Sequence, residues 1–351
     1  MKTNSALVKK ATPLRLRSDN MKTVAVIGSG SWGTALAVQL HKAGNKVILW
    51  SFKEEEAASI RENNENIEFL PGVKLSPEIE VTHIDSDVDS ADMLIFSTPS
   101  KFTRNMAERF KSHVKQDEII VNVAKGFEED TLLRLSQVIK EVIPQCRVAT
   151  LSGPSHAEEV GKGMATAIVA ASEDLHVAQE IQDTFMTPMF RVYTSTDIIG
   201  VEMGGALKNL IALAAGIADG VGYGDNTKAA LMTRGMVEIS RLGVAMGAKK
   251  ETFTGLSGIG DLIVTCTSMH SRNRRAGILL GQGKSLDEAL NEVHMVVEGV
   301  INARAAYALS KKYNISMPIT HEINDVLYNG KDVKQAVLDL MTRDKVFEHE
   351  A

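Results

Sequence analysis

Lys208 lies within Gly200–Gly216, a mostly apolar, glycine-rich segment that predicts a closely packed helix and in which Asn209 is a neighbouring polar insertion. Burial disfavours the charged form of a lysine, which lowers its pKa toward the range needed for proton exchange at neutral pH. Alternatively, the side chain extends along the helix surface to solvent. Gly204, Gly205 and Gly216 each weaken a helix by about 1 kcal/mol relative to alanine. Their presence indicates that a backbone or a ligand approaches this helix closely.

Asp261 and Thr265 form a second group with chemical potential. They follow the glycine-rich stretch 255–260 and are four residues apart, so they share one face of a predicted helix. A carboxylate and a hydroxyl on one face can hold a lysine and a substrate hydroxyl through charge-assisted hydrogen bonds. The alternative for Asp261 is the common role of a helix cap.

A basic cluster opens the next predicted helix, where the sequence reads Ser-Arg-Asn-Arg-Arg over residues 271–275. Ser271, Arg272 and Asn273 combine a helix cap, a bidentate cation and an amide with the free N–H groups of a helix end. This combination favours a phosphate site. Arg274 and Arg275 are better explained as a solvated basic face.

A G-x-G-x-x-G turn spans residues 28–33, between the strand-like run Thr23–Gly28 and a predicted helix. Gly28 permits the tight turn, Gly30 lets the backbone approach a pyrophosphate, and Gly33 allows close packing of helix on strand. A second strand, Lys46–Trp50, follows, which is the context that a dinucleotide-binding turn requires. An ordinary glycine-rich turn is the alternative.

The residues after the second strand bear on the choice of cofactor. An acid there binds the adenosine ribose, but this chain has no acid before Glu54. Ser51 and Lys53 suit a 2′-phosphate, so the segment favours NADP over strict NAD specificity. If Lys53 is only a solvated charge, nothing in the segment separates NADP from NAD.

Polar residues also follow other predicted strands, at 97–100, 122–126 and 152–157. Ligands bind outside the carboxyl ends of strands in open α/β sheets. Lys125 can therefore approach an anionic substrate or a carbonyl oxygen, although a surface lysine in a turn would look the same. His156 could act as an acid or base, but we interpret it as an ordinary loop histidine.

The chain divides into a strand-containing part and a helical part. Short apolar runs of about four to eight residues alternate with helical segments up to residue 196 and predict a mainly parallel sheet; they are Thr23–Gly28, Lys46–Trp50, Met93–Thr98, Ile119–Ala124, Arg147–Leu151, Ala167–Ala171 and Phe190–Thr194. From Ile198 onward the patterns are helical. The fold class is therefore an α/β N-terminal domain, 21–197, followed by an all-α C-terminal domain, 198–351.

Composition excludes several classes of protein. The 351 residues carry a net charge of −5, but residues 1–20 contribute +4 and the remainder −9, which argues against a nucleic-acid partner. Two cysteines exclude a disulfide scaffold, and no metal site is predicted. No membrane insertion is expected, because Ile198–Ala218 contains charged residues. Residues 1–20 are interpreted as a tag or disordered leader, although a transit peptide remains an alternative, and the expected compartment is the cytoplasm.

Long segments of the sequence resemble one family. GSGSWG, NVAKG, LSGPSHA, GVEMGGALKNLIALAAGIADG, GLSGIGDLIVTCTSMHSRNRR and VVEG are similar to bacterial NAD(P)-dependent glycerol-3-phosphate dehydrogenase, from about residue 22 to residue 343. The resemblance implies a Rossmann-type N-terminal domain and a helical C-terminal domain. It also implies NADP or NAD as cofactor, a homodimer, and interconversion of dihydroxyacetone phosphate and sn-glycerol 3-phosphate for phospholipid synthesis.

The resemblance assigns roles by motif. Lys208 would be the proton donor and acceptor at the C2 oxygen. The implied substrate contacts are Lys125, Gly153, Ser155, Lys208, Asp261, Ser271, Arg272 and Asn273. The implied cofactor contacts are Gly28, Gly30, Ser31, Trp32, Gly33, Phe52, Lys125, Ala157, Arg272, Val296 and Glu298. Phe52 departs from the family, in which this position is more usually basic or polar, and this weakens an NADP preference.

Two other functions fit parts of the pattern. A related β-hydroxyacid or sugar-acid dehydrogenase would also use a lysine on the first interdomain helix, but the basic cluster at 271–275 suits a phosphate. A non-enzymatic nucleotide sensor would keep the glycine turn without a reason to combine Lys208, Asp261 and Arg272.

Overall fold

The structure, a computed structural model, describes residues 21–345 together with 347 and 348. The predicted leader, residues 1–20, lies outside the described residues. An α/β part is followed from Ile198 by a helical part. The predicted fold class is confirmed.

The described residues form one eight-stranded sheet in the order β3-β2-β1-β4-β5-β6-β7-β8. Its strands are β1 (Thr23–Ile27), β2 (Lys46–Trp50), β3 (Glu80–Thr82), β4 (Met93–Phe96), β5 (Ile119–Asn122), β6 (Arg147–Ser152), β7 (Thr166–Ala171) and β8 (Phe190–Ser195). Every neighbouring pair is parallel except β6 and β7. Apolar residues of the central strands are buried on both faces, as parallel sheets require.

Helices cover both faces of the sheet. In the α/β part they are α1 (Ser31–Lys42), α2 (Glu54–Asn63), α3 (Thr103–Phe110), α4 (Leu135–Val142), α5 (Ala157–Gly161) and α6 (Leu175–Phe185). The strand-to-helix alternation expected from the sequence is thus present. Strand β3 was not predicted, because it is short and polar and lies at the sheet edge.

The remaining helices surround one central helix. They are α7 (Ile198–Val221), α8 (Asp225–Ala245), α9 (Asp261–Thr267), α10 (Arg272–Gly281), α11 (Leu286–Val293), α12 (Glu298–Lys312), α13 (Pro318–Tyr328) and α14 (Val333–Met341). Helix α7 is long and apolar enough to cross a membrane, but 94% of its most apolar stretch is buried within the protein. It is therefore the core of the helical part.

Helices α7 and α10 cross with their backbones almost in contact. A Cβ atom on Gly277 would lie 2.2 Å from the carbonyl oxygen of Leu213, and one on Gly216 would lie 2.1 Å from that of Arg274. Such distances leave no room for a side chain. Close packing against α10 is therefore the reason for the helix-weakening Gly216.

Candidate active site

The glycine turn between β1 and α1 has the geometry of a dinucleotide-binding turn. Gly28 has a φ of +113°, which favours glycine, and a Cβ atom on Gly33 would lie 1.9 Å from the carbonyl oxygen of Gly28. A Cβ on Gly30 would meet no atom within 4 Å, which leaves space beside the turn. Trp32 adds a buried indole N–H without a hydrogen-bond partner among the described residues. Open space and an unused donor fit a bound dinucleotide.

A carboxylate, that of Glu56, lies close to the residues that follow β2. Ser51 is buried, and its hydroxyl accepts a hydrogen bond from Ser29 Oγ at 2.7 Å and donates one to Glu56 Oε2 at 3.1 Å. Lys53 Nζ lies 3.2 Å from Glu56 Oε1. Both groups proposed for a 2′-phosphate therefore interact with one carboxylate. Phe52 is 63% exposed.

Three charged side chains meet where the two parts of the protein face each other. Lys208 Nζ donates to Asp261 Oδ1 at 2.6 Å and to Thr265 Oγ1 at 2.5 Å. Lys125 Nζ donates to the other carboxylate oxygen, Oδ2, at 2.7 Å and to the carbonyl oxygen of Gly153 at 3.2 Å. One buried carboxylate thus holds a lysine from each part of the protein.

The environment of these groups shifts their protonation in opposite directions. Burial lowers the pKa of Lys208 to about 8, although the carboxylate of Asp261 partly offsets this effect. Burial alone would raise the pKa of Asp261, but Lys125 and Lys208 outweigh it and hold that pKa below its ordinary value. The pair therefore combines a stable carboxylate with a lysine that can exchange protons near neutral pH.

Glycines of α7 bring these residues together. A Cβ on Gly204 would lie 2.5 Å from the carbonyl oxygen of Ser257, and one on Gly205 would lie 2.7 Å from Ser152 Oγ. Helix α7 thus packs directly against the turn before α9 and against the end of β6. This close approach, which the sequence indicated, allows Lys208 to reach Asp261.

The start of α10 lies beside the same helix. Ser271 Oγ caps α10 by accepting from Arg274 N at 3.2 Å. Asn273 Nδ2 donates to Asn209 Oδ1 at 2.9 Å, and Asn273 Oδ1 accepts from Gly299 N at 2.8 Å. Asn273 therefore joins α10 to α7 and α12, with only one amide hydrogen left for a ligand.

Arg272 and Arg275 are the basic groups at this helix end with no ion-pair partner among the described residues. Burial lowers the pKa of Arg272, and Glu298 partly counters that effect. Arg274, in contrast, binds Asp219 in two contacts at 2.8 and 2.9 Å. Its basic charge is thus neutralised inside the fold, so the expectation of a solvated face is wrong for Arg274.

The loop after β6 lines the other side of the cleft. Gly153 has a φ of +151°, and its carbonyl oxygen accepts hydrogen bonds from Lys125 Nζ and, at 2.9 Å, from Ser155 Oγ. Ala157 is the buried first residue of α5. His156 lies beside this cleft, and burial lowers its pKa.

The segment that begins α12 contacts the α/β part. Glu298 accepts hydrogen bonds from Ser100 N at 3.0 Å and from Ser100 Oγ at 2.6 Å. Val296, half-buried, precedes the helix. Sequence reasoning missed Asn302, which lies one turn further along α12 and is fully buried. A lone amide among the alanines of a buried helix face was the signal for it.

The fold and the cleft define a class of protein. A Rossmann-type sheet carries a glycine turn with open space beside it, and a helical part supplies a buried lysine held by an aspartate. Among the described residues, no cluster of three or more His, Cys, Asp or Glu side chains can hold a metal ion. These features are those of a two-domain dehydrogenase that uses a nicotinamide dinucleotide.

The chain belongs to the NAD-dependent glycerol-3-phosphate dehydrogenase family. Family models described as the N-terminus and the C-terminus of that enzyme match residues 23–178 and 197–338. Glycerol-3-phosphate dehydrogenase [NAD(P)+] of Fusobacterium nucleatum is 55% identical over 331 residues, which are 93% of this chain and 99% of the relative. The Bacillus subtilis enzyme of the same name is 51% identical over 334 residues, with 94% and 97% coverage. The family resemblance and the NAD(P) cofactor expected from the sequence are confirmed.

Solved structures agree with this assignment. The crystal structure of glycerol-3-phosphate dehydrogenase from Coxiella burnetii has a TM-score of 0.89 at 35% identity and covers 92% of this chain and 99% of its own. A ketopantoate reductase from Ralstonia eutropha, at 16% identity, has a TM-score of 0.59 with 90% and 99% coverage, and it shares the fold alone. The matching family models thus argue against the alternative that the protein is a related β-hydroxyacid or sugar-acid dehydrogenase.

Proposed function

We propose that the protein interconverts dihydroxyacetone phosphate and sn-glycerol 3-phosphate, with Lys208 as the group that donates and accepts the proton. Family membership supports the reaction and the phosphorylated substrate. The observation that carries the assignment to Lys208 is its burial together with its hydrogen bonds to Asp261 and Thr265. These bonds use two of the three ammonium donors, so one remains for a substrate oxygen.

The reaction needs a proton at the oxygen where charge develops. The nicotinamide cofactor supplies or accepts a hydride at the C2 carbon of the substrate. During reduction, protonated Lys208 donates its third hydrogen to the C2 oxygen, and during oxidation neutral Lys208 takes the hydroxyl proton. Asp261 stays ionised and orients both lysines, because their charges hold its pKa low. In this proposal Lys125 also contacts the substrate, from a position different from that of Lys208.

The start of α10 holds the substrate phosphate in this proposal. Arg272 is a half-buried cation without an ion-pair partner among the described residues, and Ser271 and Asn273 flank it at a helix N-terminus. Burial removes water from the charged guanidinium of Arg272. A bound phosphate would compensate for that loss by supplying a negative charge beside it. Binding energy at this remote group then positions the C2 carbon against the cofactor.

The cofactor contacts follow the glycine turn. Gly28, Gly30, Ser31 and Gly33, with the unpaired indole of Trp32, are proposed to bind the pyrophosphate side. The remaining proposed contacts come from loops and from the first residues of α5, α10 and α12; they are Phe52, Lys125, Ala157, Arg272, Val296 and Glu298. Glu298 is also engaged with Ser100, so its contact with the cofactor would use an oxygen lone pair that those bonds leave free.

Replacing Lys208 by alanine tests the assignment. General acid–base groups contribute about 10²- to 10⁴-fold to rate, so Lys208→Ala should lose at least that much in dihydroxyacetone phosphate reduction. Nicotinamide cofactor binding, followed by fluorescence titration, should be nearly unchanged. Lys228→Ala is the matched control, because Lys228 pairs with Asp219 at 2.7 Å and is no part of the proposed site. Near-normal turnover by Lys208→Ala would refute the role of Lys208.

The same proposal includes a homodimer in the cytoplasm that supplies glycerol 3-phosphate for phospholipid synthesis. The family relationship is its support, together with the burial of the one helix among the described residues that is long and apolar enough to cross a membrane. Light scattering of the purified protein tests the dimer, and a mass of one chain would contradict it.

A further inference from the structure

Asn302 has an unusual set of contacts for a residue outside the proposed machinery. Its side chain is fully buried, and Nδ2 donates to the carbonyl oxygen of Lys125 at 3.2 Å and to that of Ala206 at 3.3 Å. Lys125 belongs to the α/β part, whereas Ala206 lies on α7 two residues before Lys208. One amide thus connects the main chains that carry both lysines of the site.

The orientation of this amide is set by its surroundings. Two carbonyl oxygens face one end of the side chain, so the NH₂ group must point toward them, because a rotated amide would oppose oxygen to oxygen. This orientation leaves Oδ1 buried without a hydrogen-bond partner among the described residues. A buried acceptor without a partner is unfavourable, which indicates that the two bonds to the carbonyls are worth retaining.

The loop that Asn302 holds has little freedom. A Cβ atom on Gly126, the residue after Lys125, would lie 2.6 Å from the Cβ of Ser100 and 3.0 Å from Asn302 Oδ1. Ser100 in turn binds Glu298, which precedes Asn302 by one helical turn. The same face of α12 therefore supports both loops of the α/β part.

We propose that Asn302 is a positioning residue, which fixes the main chain of Lys125 against α7 and so sets the distance of the Lys125 ammonium from Lys208. The proposal rests on the proposed function, in which Lys208 transfers the proton. Lys125 and Lys208 bind opposite oxygens of Asp261, so a shift of the Lys125 loop changes the charge that Lys208 experiences. The role is indirect, because Asn302 itself binds only main-chain carbonyls.

Asn302→Leu is the direct test, because leucine has a similar size and no donor. We expect kcat for dihydroxyacetone phosphate reduction to fall by about 10- to 100-fold, because misplaced reacting groups slow the chemical step. The change in KM should be smaller. The basic limb of the pH–rate profile should move to higher pH, because the positive charge of Lys125 lowers the pKa of Lys208 and its retreat removes that effect. A loss of packing alone would not move this limb.

Ser310→Ala is the matched control. Ser310 is a buried residue of the same helix, and its hydroxyl bonds to Tyr307 O and His321. Its loss should lower the melting temperature and leave kcat and the pH profile unchanged. Asn302→Ala is measured in parallel, since leucine can disturb the packing of Gly126.

The outcomes separate the two proposals. A wild-type profile and kcat in folded Asn302 variants would overturn the positioning role, while an inactive Lys208→Ala would leave the proposed function intact. Failure of both Asn302 variants to fold would assign a purely structural role and also overturn the proposal. An active Lys208→Ala would instead refute the proposed function itself.

Discussion

Asp261→Asn isolates the charge that joins the two lysines. Its carboxylate binds Lys208 at 2.6 Å through one oxygen and Lys125 at 2.7 Å through the other. Asparagine keeps the shape but removes the negative charge, and it offers an NH₂ group to one of the two lysines. The ammonium of Lys208 would then face Lys125 without a counterion, which disfavours its charged form.

The size of the effect follows from Coulomb's law. Two unit charges about 4 Å apart interact by about 4 kcal/mol at an effective dielectric constant of about 20. The remaining acceptor of asparagine recovers part of this, so we take about 3 kcal/mol, or about 2 pKa units. The pKa of Lys208, which burial lowers to about 8, should therefore fall further in the variant.

The assay is the pH dependence of kcat for dihydroxyacetone phosphate reduction between about pH 5 and pH 9. Reduction needs protonated Lys208, so activity is lost as pH rises through its pKa, near 8 in the wild type. The variant should lose activity about 2 pH units lower, which leaves much less of the enzyme protonated at neutral pH. Oxidation of glycerol 3-phosphate, which needs neutral Lys208, should extend to lower pH.

Asp197→Asn provides the matched control for this experiment. Asp197 is equally buried, but its carboxylate accepts from Gly200 N, Lys249 N and Thr252 Oγ1 rather than from an ammonium of the site. We expect lower stability and an unmoved basic limb. A folded Asp261→Asn enzyme with its basic limb at or above the wild-type position would refute the reasoning.

Two further predictions concern the helix crossing and the cofactor. Gly277→Ala should lower the free energy of unfolding by about 1–3 kcal/mol or more, because its Cβ would lie 2.2 Å from Leu213 O. In urea unfolding Gly224→Ala, whose Cβ would meet nothing within 4 Å, is the control, and equal effects would contradict this account. Glu56→Gln should raise kcat/KM with NADPH relative to NADH by a few-fold, because it removes a negative charge and releases Lys53 for a 2′-phosphate. An unchanged NADPH-to-NADH ratio would place the 2′-phosphate elsewhere.

Patterns within short stretches of the sequence predicted strands and helices well where neighbouring residues determine the structure. The run Lys46–Trp50 forms a strand with the predicted bounds, and the chain is helical from Ile198 onward, as the sequence predicts. Because Asp261 and Thr265 are four residues apart on one face of α9, both side chains accept a hydrogen bond from Lys208 Nζ. Strand β3 escaped prediction because its stability comes from pairing with β2, which polar residues at a sheet edge do not reveal.

Contacts between distant segments could not be predicted. Arg274 looked like a solvated charge because its partner, Asp219, is 55 residues away at the far end of α7. The pairing of Lys53 with Glu56, in contrast, is local, and the three-residue spacing at the start of α2 could have predicted it. Asn302 gave only a weak signal, since its partners are carbonyl oxygens, which every residue possesses.

The crossing of α7 and α10 has a consequence for the proposed site, because it would limit the length of substrate that fits the cleft. Lys208 lies on α7 and Arg272 opens α10, and glycine-to-carbonyl contacts prevent either helix from sliding along the other. The separation between the backbone of Lys208, at the proposed proton-transferring end, and that of Arg272, at the proposed phosphate-binding end, is therefore fixed by this crossing. If the proposed contacts are correct, side-chain substitutions in the cleft would change how tightly a molecule binds, whereas the glycines of the crossing would limit the number of atoms between its phosphate and its reacting carbon.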